Sequence, residues 1–337
     1  MRHTVPAKRV YPPLPQPSPD RLDASWGDES LGSEQLAASL DPGVQEKVTT
    51  VLYLAYGSNL CNETFRGVRG IRPLSQINVV VPSLRLTFNL PGIPYSEPCF
   101  ANTKRRPPDA PRDNDNEEYA AAAAAASGQA AASSGYHKDH WTKGLVGVVY
   151  EVTRSDYAHI IATEGGGSAY SDILVDCYVL PAADTVPTLP DTRPFKAHTL
   201  FAPLLNDQGK QSTTYCIFRP DPSYAQPSMR YLGLILNGAA ECQLPKEYQE
   251  YLHNIRPYKI TSNRQWAGKV LFLANWLPFI MLIFSLERLV KDKKERVPGW
   301  FARLRAWVFL SMWASYDNAF KGVFGDGERT VGDGAPW

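Results

Sequence analysis

Apolar residues are distributed unevenly along this 337-residue chain, and their pattern divides it into four parts. Residues 1–48 contain no apolar run and many prolines, so they cannot bury enough surface to offset the entropy of ordering and are predicted to be a disordered tail. Residues 49–260 alternate short β-branched and aromatic runs with turn residues, which is typical of a folded domain. A hydrophobic segment at 266–290 and a basic, aromatic tail at 291–337 follow.

Within the folded domain, strands are predicted first and helices last. Residues 49–56 are β-branched and aromatic and end at the turn residues 57–59, which indicates a strand that enters a loop. A similar run at 145–152 predicts another strand, and Ser155 is suited to cap a short helix after it. Ser228 is suited to cap a later helix. Strands with antiparallel spacing followed by helices predict an α+β domain.

Residues 104–143 interrupt the strand pattern with a low-complexity segment. A charged, proline-rich piece is followed by seven consecutive alanines at 120–126 and then by serine, glycine and alanine. Because long loops add little closure entropy, the segment is predicted to be an insertion in a surface loop of the domain.

The hydrophobic segment contains 17 consecutive uncharged residues, 270–286, which is the short limit for a helix that spans a bilayer. Asn275 and Pro278 weaken this assignment, whereas Trp266 suits a membrane interface. Basic residues follow it, namely Arg288, Lys291, Lys293, Lys294 and Arg296. The pattern predicts a cytoplasmic domain that associates with a membrane through 266–313. The alternative is an amphipathic helix docked on the protein's own surface.

Composition and charge narrow the function classes. Lysine and arginine number 35 against 34 aspartates and glutamates, so the chain lacks the basic surplus of a nucleic-acid-binding protein. Its five scattered cysteines form no C-x-x-C pair, which excludes a disulfide framework and a zinc ribbon and suits a reducing compartment. The sequence has no G-x-G-x-x-G, Walker or G-x-S-x-G motif and no compact carboxylate cluster. The sequence therefore gives no local support for a phosphate-binding loop, a serine hydrolase or a di-metal site.

The turn after the first strand is one candidate for chemistry. Gly57 permits unusual backbone geometry, and successive N–H groups of such a turn can point at one carboxylate or developing oxyanion. Ser58 and Asn59 add side-chain donors. The alternative is an ordinary strand–turn–helix connection in which both side chains serve as caps.

Glu164 is a second candidate, because it follows a predicted helix and precedes three glycines. The negative end of a helix dipole and partial burial both raise the pKa of a carboxyl toward what a general base needs near neutral pH. The glycines let a substrate or other backbone approach closely. The alternative is a solvent-facing glutamate before a flexible helix end.

Four sequence blocks, in a fixed order, resemble the gamma-glutamylcyclotransferase family. The first is Tyr-Leu-Ala-Tyr-Gly-Ser-Asn-Leu at 53–60, and the second is Gly-Val-Val-Tyr-Glu at 147–151, followed by a short helix and Glu164 with its glycines. The last two are Pro-Ser-Met-Arg-Tyr at 227–231 and Leu-Pro-Lys-Glu-Tyr-Gln at 244–249. The resemblance covers about half of the chain.

The resemblance implies a small mixed β-barrel flanked by helices and a lyase reaction, in which the α-amine of a γ-glutamyl group attacks its own γ-carbonyl. The products are 5-oxoproline and a free amino acid. Glu164 matches the position of the family's general base, and Tyr231 matches a tyrosine that contacts the substrate. The loop that holds the glutamyl group and the oxyanion matches Tyr53, Leu54, Ala55, Tyr56, Gly57 and Ser58. The resemblance implies neither a metal nor an organic cofactor.

The residues leave several alternatives open. Tyr170 follows Glu164 at a spacing about one residue shorter than the family pattern leads us to expect, so its role is open. The glutathione-specific branch of the family carries a Tyr-Gly-Ser-Leu type loop, so the resemblance implies that Asn59 favours the branch that acts on general γ-glutamyl amino acids. A glutathione-derived conjugate is another substrate class. The rival interpretations are an inactive module that binds a γ-glutamyl ligand and is tethered to a membrane, and an enzyme that acts on γ-glutamyl-amines.

Overall fold

The computed structural model describes residues 11–31, 50–106, 141–163, 171–202, 219, 221, 224–290 and 298–332. Its strands are β1 (Thr50–Ala55), β2 (Ser75–Val81), β3 (Leu84–Ile93), β4 (Glu97–Arg105), β5 (Leu145–Thr153), β6 (Ser171–Val179) and β7 (Phe195–Phe201). Its helices are α1 (Pro19–Ala24), α2 (Arg154–Thr163), α3 (Met229–Glu241), α4 (Lys246–Asn254), α5 (Asn263–Val290), α6 (Gly299–Ser315) and α7 (Lys321–Phe324). Short 3₁₀ or π turns lie at Ser25–Gly27, Ser58–Leu60, Glu63–Val68 and Tyr316–Phe320.

Five of these strands close into a barrel in the order β1-β5-β2-β6-β7. Four neighbouring pairs are antiparallel, and β7 closes the barrel by lying parallel to β1, with His198 opposite Tyr53. β3 and β4 form a separate antiparallel hairpin. Helices flank the barrel, so the expected mixed β-barrel with an α+β fold is confirmed.

The core of the barrel is centred on β5, which lies between β1 and β2. Nearly all of its residues are buried. Burial of each large apolar side chain stabilises the folded state by roughly 1.5–3 kcal/mol. Gly147 allows β5 to approach β1, because a Cβ at this position would lie 2.5 Å from the carbonyl oxygen of Ala55. The long apolar runs of the sequence therefore correspond to strands that are covered on both faces.

Part of the N-terminal segment is folded onto the barrel, which differs from the disordered tail expected over 1–48. The Arg21 guanidinium donates to the Thr50 carbonyl at 2.9 Å, and the Lys196 N–H donates to Ser25 Oγ at 2.9 Å. This proline-rich segment has no core of its own, but it hydrogen-bonds to the barrel and packs Leu14, Leu22 and Leu31 against the barrel core. The remainder of that expected tail lies outside the described residues.

Two helix starts test the expected capping residues. Thr153 Oγ1 accepts the N–H of Asp156 at 3.0 Å, so Thr153 caps α2 and Ser155, the expected cap, lies inside the first turn. This expectation was wrong by two residues because both hydroxyls suit the position and β5 runs on to Thr153. Ser228 is confirmed as the cap of α3, since its Oγ accepts the N–H of Tyr231 at 3.0 Å.

α5 and α6 form an antiparallel pair, which we call the C-terminal hairpin. Trp276 Nε1 donates to Ser315 Oγ at 2.9 Å, and Arg305 Nη1 donates to Glu287 Oε2 at 3.0 Å. Among the described residues, α5 is the one helix whose length and composition would suit a membrane crossing, and 22% of that apolar stretch is buried. The hydrophobic segment expected at 266–290 coincides with α5, whereas a large part of the expected tail forms α6.

The C-terminal hairpin packs on the β3–β4 turn. One buried cluster joins the two, and its members are Tyr95, Phe272, Ile280, Met312, Trp313 and Tyr316. Tyr95 supplies the contribution of the β3–β4 turn, while the others come from α5, α6 and the turn after α6. The hairpin is therefore packed against the barrel domain along one part of its surface.

The low-complexity segment is described only at its ends, and residues 107–140 lie outside the described residues. Where the chain resumes, the Trp141 ring packs on Tyr248 with centroids 5.1 Å apart, and Lys143 forms an ion pair with Glu247 of α4. These contacts attach the end of the segment beside α4.

Candidate active site

The loop that follows β1 is held by hydrogen bonds to β7 and β1 and by one within its own turn. Tyr56 donates its hydroxyl to the Leu200 carbonyl at 2.8 Å, which ties the loop to β7. A 3₁₀ turn begins at Ser58, and the Leu60 N–H donates to the Gly57 carbonyl at 3.0 Å. The Asn59 amide donates to the Tyr53 hydroxyl at 2.8 Å. Asn59 thus ties the turn to the strand it leaves, a role different from the cap that the alternative interpretation assigned to it.

Tyr231 lies directly beside this loop. It occupies the first turn of α3, is 7% exposed, and its hydroxyl accepts the Ala101 N–H at 3.1 Å. A Cβ added at Gly57 would lie 3.3 Å from the same hydroxyl oxygen. The Phe100 ring packs edge-on against the phenol at a centroid distance of 5.0 Å. The structure therefore brings together two of the residues that the sequence singled out, Gly57 and Tyr231.

α3 supports the loop at a second point, two helical turns after Tyr231. A Cβ at Gly238 would lie 2.4 Å from the Leu60 carbonyl carbon and 2.5 Å from the Cys61 nitrogen. Residues seven apart on a helix share a face, so Tyr231 and Gly238 present one surface to the loop. The backbone packing role of Gly238 and the donor role of Ala101 were missed at the level of sequence, because neither has a local signal.

Glu164, the candidate general base, lies outside the described residues, as do its three glycines and Tyr170. The helix before it is described as far as Thr163, whose Oγ1 accepts from Arg69 Nη1 at 2.6 Å. Arg69 directly follows the π turn Glu63–Val68, which comes shortly after the β1 loop. The end of α2 is therefore attached to the segment that continues from the candidate site.

A buried polar network joins α2 to β6 and β7. Tyr157 donates to Asp172 Oδ1 at 2.5 Å, and His198 Nδ1 lies 2.9 Å from Asp172 Oδ2. The Tyr157 ring also packs on Tyr53, with centroids 5.8 Å apart. Burial, followed by the charge of Asp172, raises the pKa of Tyr157 well above its usual value, so the phenol remains a donor. The network orients α2, and sequence analysis missed it because its members are distant in the chain.

The described residues offer neither a metal centre nor a cysteine nucleophile. They contain no group of three or more His, Cys, Asp or Glu side chains placed to hold a metal ion. Cys61, Cys99, Cys177 and Cys242 are buried and form no disulfide. Burial raises the pKa of Cys242 to about 11, which keeps that thiol protonated near neutral pH.

Comparison with known proteins places the chain in one family. Residues 262–323 match the family model described as the AclK C-terminal domain. The gamma-glutamyl cyclotransferase gliK of Aspergillus fumigatus is 30% identical over 288 residues, which cover 82% of this chain and 89% of the relative. The gamma-glutamyl cyclotransferase aclK of Aspergillus oryzae is 28% identical over 284 residues, or 82% of this chain and 90% of the relative.

A solved structure of a gamma-glutamyl cyclotransferase is similar with a TM-score of 0.39 and 19% identity, over 64% of this chain and 93% of that chain. A likeness at this level adds no weight to the assignment, which depends on the sequence relatives. Since gliK of Aspergillus fumigatus is matched at 30% identity over most of both chains, this chain belongs to the gamma-glutamyl cyclotransferase family and is an enzyme of that class.

Proposed function

We propose that the enzyme converts a γ-glutamyl amino acid or a glutathione-derived conjugate into 5-oxoproline and the free amino acid or amine. The observation that carries the proposal is the meeting of the Gly57 turn and the Tyr231 hydroxyl, within a chain of this family. The two residues come from distant parts of the sequence and converge at the end of β1. This convergence supports a binding site for the glutamyl group there.

The proposed reaction forms one C–N bond and breaks another. The α-amine of the glutamyl group attacks its γ-carbonyl carbon, and Glu164 takes the proton that the amine loses. The tetrahedral intermediate then collapses, the original amide C–N bond breaks, and the leaving amine receives the proton that Glu164 took up, which regenerates the carboxylate. Because attack is intramolecular, a folded glutamyl chain supplies most of the required proximity.

The β1 loop has two tasks in this scheme. Backbone N–H groups of the turn at Gly57 and Ser58 stabilise the oxyanion of the intermediate, as donors fixed in advance do in acyl transfer. Tyr231 fixes the glutamyl group. Its phenol is oriented by the Ala101 N–H, and Gly57 leaves the space in which the hydroxyl sits. Tyr53 and Asn59 hold the turn in this geometry.

Release of 5-oxoproline by the full chain tests this proposal. We expect the Glu164→Gln variant to release 5-oxoproline from γ-glutamyl-alanine or glutathione about 10²-fold more slowly than the wild type, the usual size of a general-base effect. The matched control is Glu250→Gln, an exposed glutamate of α4, which should retain full activity.

Two results would contradict the scheme in different ways. Equal release by wild type and Glu164→Gln would remove Glu164 from the mechanism but retain the reaction. If the wild type releases nothing from a broad panel of γ-glutamyl amino acids, conjugates and amines, the protein is instead a binding module. The same panel identifies the leaving group.

We also propose that the C-terminal hairpin attaches the enzyme to a membrane. Among the described residues, the hairpin packs on the rest of the protein around Tyr95, Phe324 and Arg219. Large apolar side chains elsewhere on it are exposed, namely Trp266, Leu271, Leu277, Phe279, Met281, Leu282, Phe284, Trp300, Trp307 and Leu310. Exposed apolar side chains in this number on one element favour an interaction site. The basic residues between the two helices in sequence would favour anionic headgroups.

Sedimentation with vesicles of phosphatidylserine and phosphatidylcholine tests the membrane proposal. We expect the full chain to sediment, and the triple variant Leu277→Ser, Phe279→Ser, Leu282→Ser to lose at least about tenfold in affinity, given the apolar area removed. The control is Leu189→Ser, which changes an exposed leucine outside the hairpin. If the wild-type chain remains in the supernatant, the membrane proposal is wrong, whatever its enzymatic activity.

A further inference from the structure

Residues 326–330, Asp-Gly-Glu-Arg-Thr, follow α7 and return to the barrel domain; we call them the strap. They lie beyond the residues matched by the AclK C-terminal domain. Asp326 shapes the strap, because its Oδ1 accepts the N–H groups of Glu328 at 2.7 Å and Arg329 at 2.9 Å. Its Oδ2 accepts the Tyr224 hydroxyl at 2.5 Å. The carboxylate thus organises a tight turn.

A buried ion pair fixes this turn in place. Glu328 is 2% exposed, and its Oε2 accepts from Arg219 Nη2 at 2.6 Å. Burial raises the pKa of Glu328, and the neighbouring Arg219 acts in the opposite direction. Arg219 also donates to both carboxylate oxygens of Asp317, and its guanidinium lies 4.1 Å from the Trp313 ring centroid. A buried carboxylate of this kind is stable only with such partners.

The strap holds the β3–β4 turn. The Tyr95 N–H donates to the Gly327 carbonyl at 2.7 Å, and the Tyr95 hydroxyl donates to the carbonyl of Gly325, just before the strap, at 2.7 Å. Tyr95 has φ = 62°, a left-handed conformation that a bulky residue rarely adopts, so its surroundings must impose it. β4 begins two residues later and carries Ala101, the backbone donor to the Tyr231 hydroxyl.

The strap also holds the segment before α3. The Gln226 N–H donates to the Glu328 carbonyl at 2.9 Å, and Gln226 Oε1 accepts the Thr330 N–H at 2.8 Å. Gln226 lies two residues before Ser228, whose Oγ accepts the Tyr231 N–H. The strap is therefore bonded both to the strand that holds the phenol of Tyr231 and to the segment that caps its helix.

A last contact joins these two supports to each other. The Ser228 hydroxyl donates to Glu97 Oε2 at 2.5 Å, and Glu97 is the first residue of β4. Tyr231 is thus fixed at its backbone and at its hydroxyl by two elements that the strap holds together.

We infer that the strap is a positioning element of the active site, which sets the place of Tyr231 beside Gly57 through Asp326, Glu328 and Gln226. This inference rests on the proposed role of Tyr231 in binding the glutamyl group. The strap itself contacts the supports of Tyr231 and takes no part in the chemistry. Loss of the strap's hydrogen bonds should therefore raise KM more than it lowers kcat.

Steady-state kinetics on the full chain test the inference. We expect Asp326→Ala to raise KM for the γ-glutamyl substrate about tenfold, and to change kcat less than about threefold, because an interaction that supports binding is lost. Asp326→Asn should restore KM to within about threefold of the wild type, since the amide oxygen still accepts both N–H groups. Thr261→Val is the matched control. Thr261 lies two residues before α5, and its hydroxyl donates to the Val331 carbonyl just after the strap and to Gln265 Oε1. Gln265 keeps the N–H groups of Thr261 and Ser262 as donors in this variant, so KM should be unchanged.

Hydrogen exchange supplies a second readout that does not depend on activity. The Ala101 N–H should exchange about tenfold faster in Asp326→Ala, as expected when a local hydrogen bond opens more often, and at the wild-type rate in Thr261→Val. If Asp326→Ala does not fold, Gln226→Leu removes only the acceptor for Thr330 and provides the same two measurements.

The outcomes separate this inference from the proposed function. An unchanged KM in a folded Asp326→Ala or Gln226→Leu variant overturns the inference, as does an equal rise in Thr261→Val. If the wild type releases no 5-oxoproline, the proposed function fails and the exchange measurement decides. Faster exchange of the Ala101 N–H then supports the link from strap to Tyr231, and unchanged exchange overturns it.

Discussion

The barrel and the C-terminal hairpin use apolar sequence in opposite ways. In the barrel, β1 and β5 pair with each other and are covered on both faces, so that their apolar residues are almost all buried. In the hairpin, α5 is as apolar as these strands but has 22% of its apolar stretch buried, because α6, Tyr95 and the segment after α6 cover part of its surface. An apolar run thus predicts removal from water, and only the surrounding fold shows whether the chain itself provides the cover.

The two regions also differ in how their polar groups are used. The barrel buries a network of Asp172, His198 and Tyr157 that joins three of its elements. The hairpin buries one cross-helix ion pair between Arg305 and Glu287 among its described residues. Both are satisfied buried groups, which specify one packing arrangement over its alternatives. The polar network of the barrel lies near the candidate site, whereas the hairpin pair sets the register of two helices.

The same substitution in each region gives the largest expected contrast. Phe65 is fully buried and packs on Tyr150, with ring centroids 4.7 Å apart, whereas Phe279 is 51% exposed. We expect Phe65→Ala to lower the free energy of unfolding by about 3–5 kcal/mol through loss of burial and a residual cavity. Phe279→Ala should change it by less than about 0.5 kcal/mol. Urea unfolding followed by far-ultraviolet circular dichroism measures both, and a similar loss in the two variants would contradict the comparison.

Two glycines of α3 allow a second comparison, between a packed and an open position within the barrel domain. We expect Gly238→Ala to cost about 1–3 kcal/mol, because the new Cβ would meet the backbone of Leu60, 2.4 Å away. KM should rise as well, since the displaced loop carries Gly57. Gly233 lies on the same helix with nothing within 4 Å of an added Cβ, so Gly233→Ala should gain up to about 1 kcal/mol. Thermal unfolding and the kinetics of 5-oxoproline release distinguish the two variants. Equal stability and equal KM in both would mean that α3 does not pack closely against the loop.

Local signals explain what the sequence predicted. β-branched and aromatic runs ending at turn residues predicted the strands at 50–55 and 145–153, and Ser228 marked the start of α3. Family resemblance then pointed to Gly57 and Tyr231, which the structure brings together. The role of Glu164 stays a prediction.

Long-range hydrogen bonds explain what the sequence did not predict. Residues 11–31 and the strap contain few apolar residues, and both make hydrogen bonds to partners far away in the chain. Asp172 and His198 are 26 residues apart and lie in different strands. Such pairings depend on the closed barrel, and no periodicity or motif in a single sequence encodes them.

The smallest expected effect tests an ion pair on the barrel surface. Glu247 of α4 pairs with Lys143 and accepts the Val186 N–H at 2.7 Å. Burial alone would raise the pKa of Glu247, but the hydrogen bonds from Lys143 and Val186 outweigh it and lower this pKa. The contribution of the charged form is therefore present above the unfolded-state pKa of about 4.3 and is lost as pH falls through the lower folded-state pKa.

We expect Glu247→Gln to cost at most about 1 kcal/mol at neutral pH, the range of partly exposed pairs, and less as the pH drops below about 4. Glu250→Gln changes an exposed glutamate of the same helix and should show no such pH dependence. Urea unfolding at both pH values measures the difference. A cost for Glu247→Gln that stays constant across this range would mean that the Lys143 pair contributes no pH-dependent stability. The segment after the insertion would then be held on α4 by the packing of Trp141 on Tyr248 and by the uncharged hydrogen bonds alone.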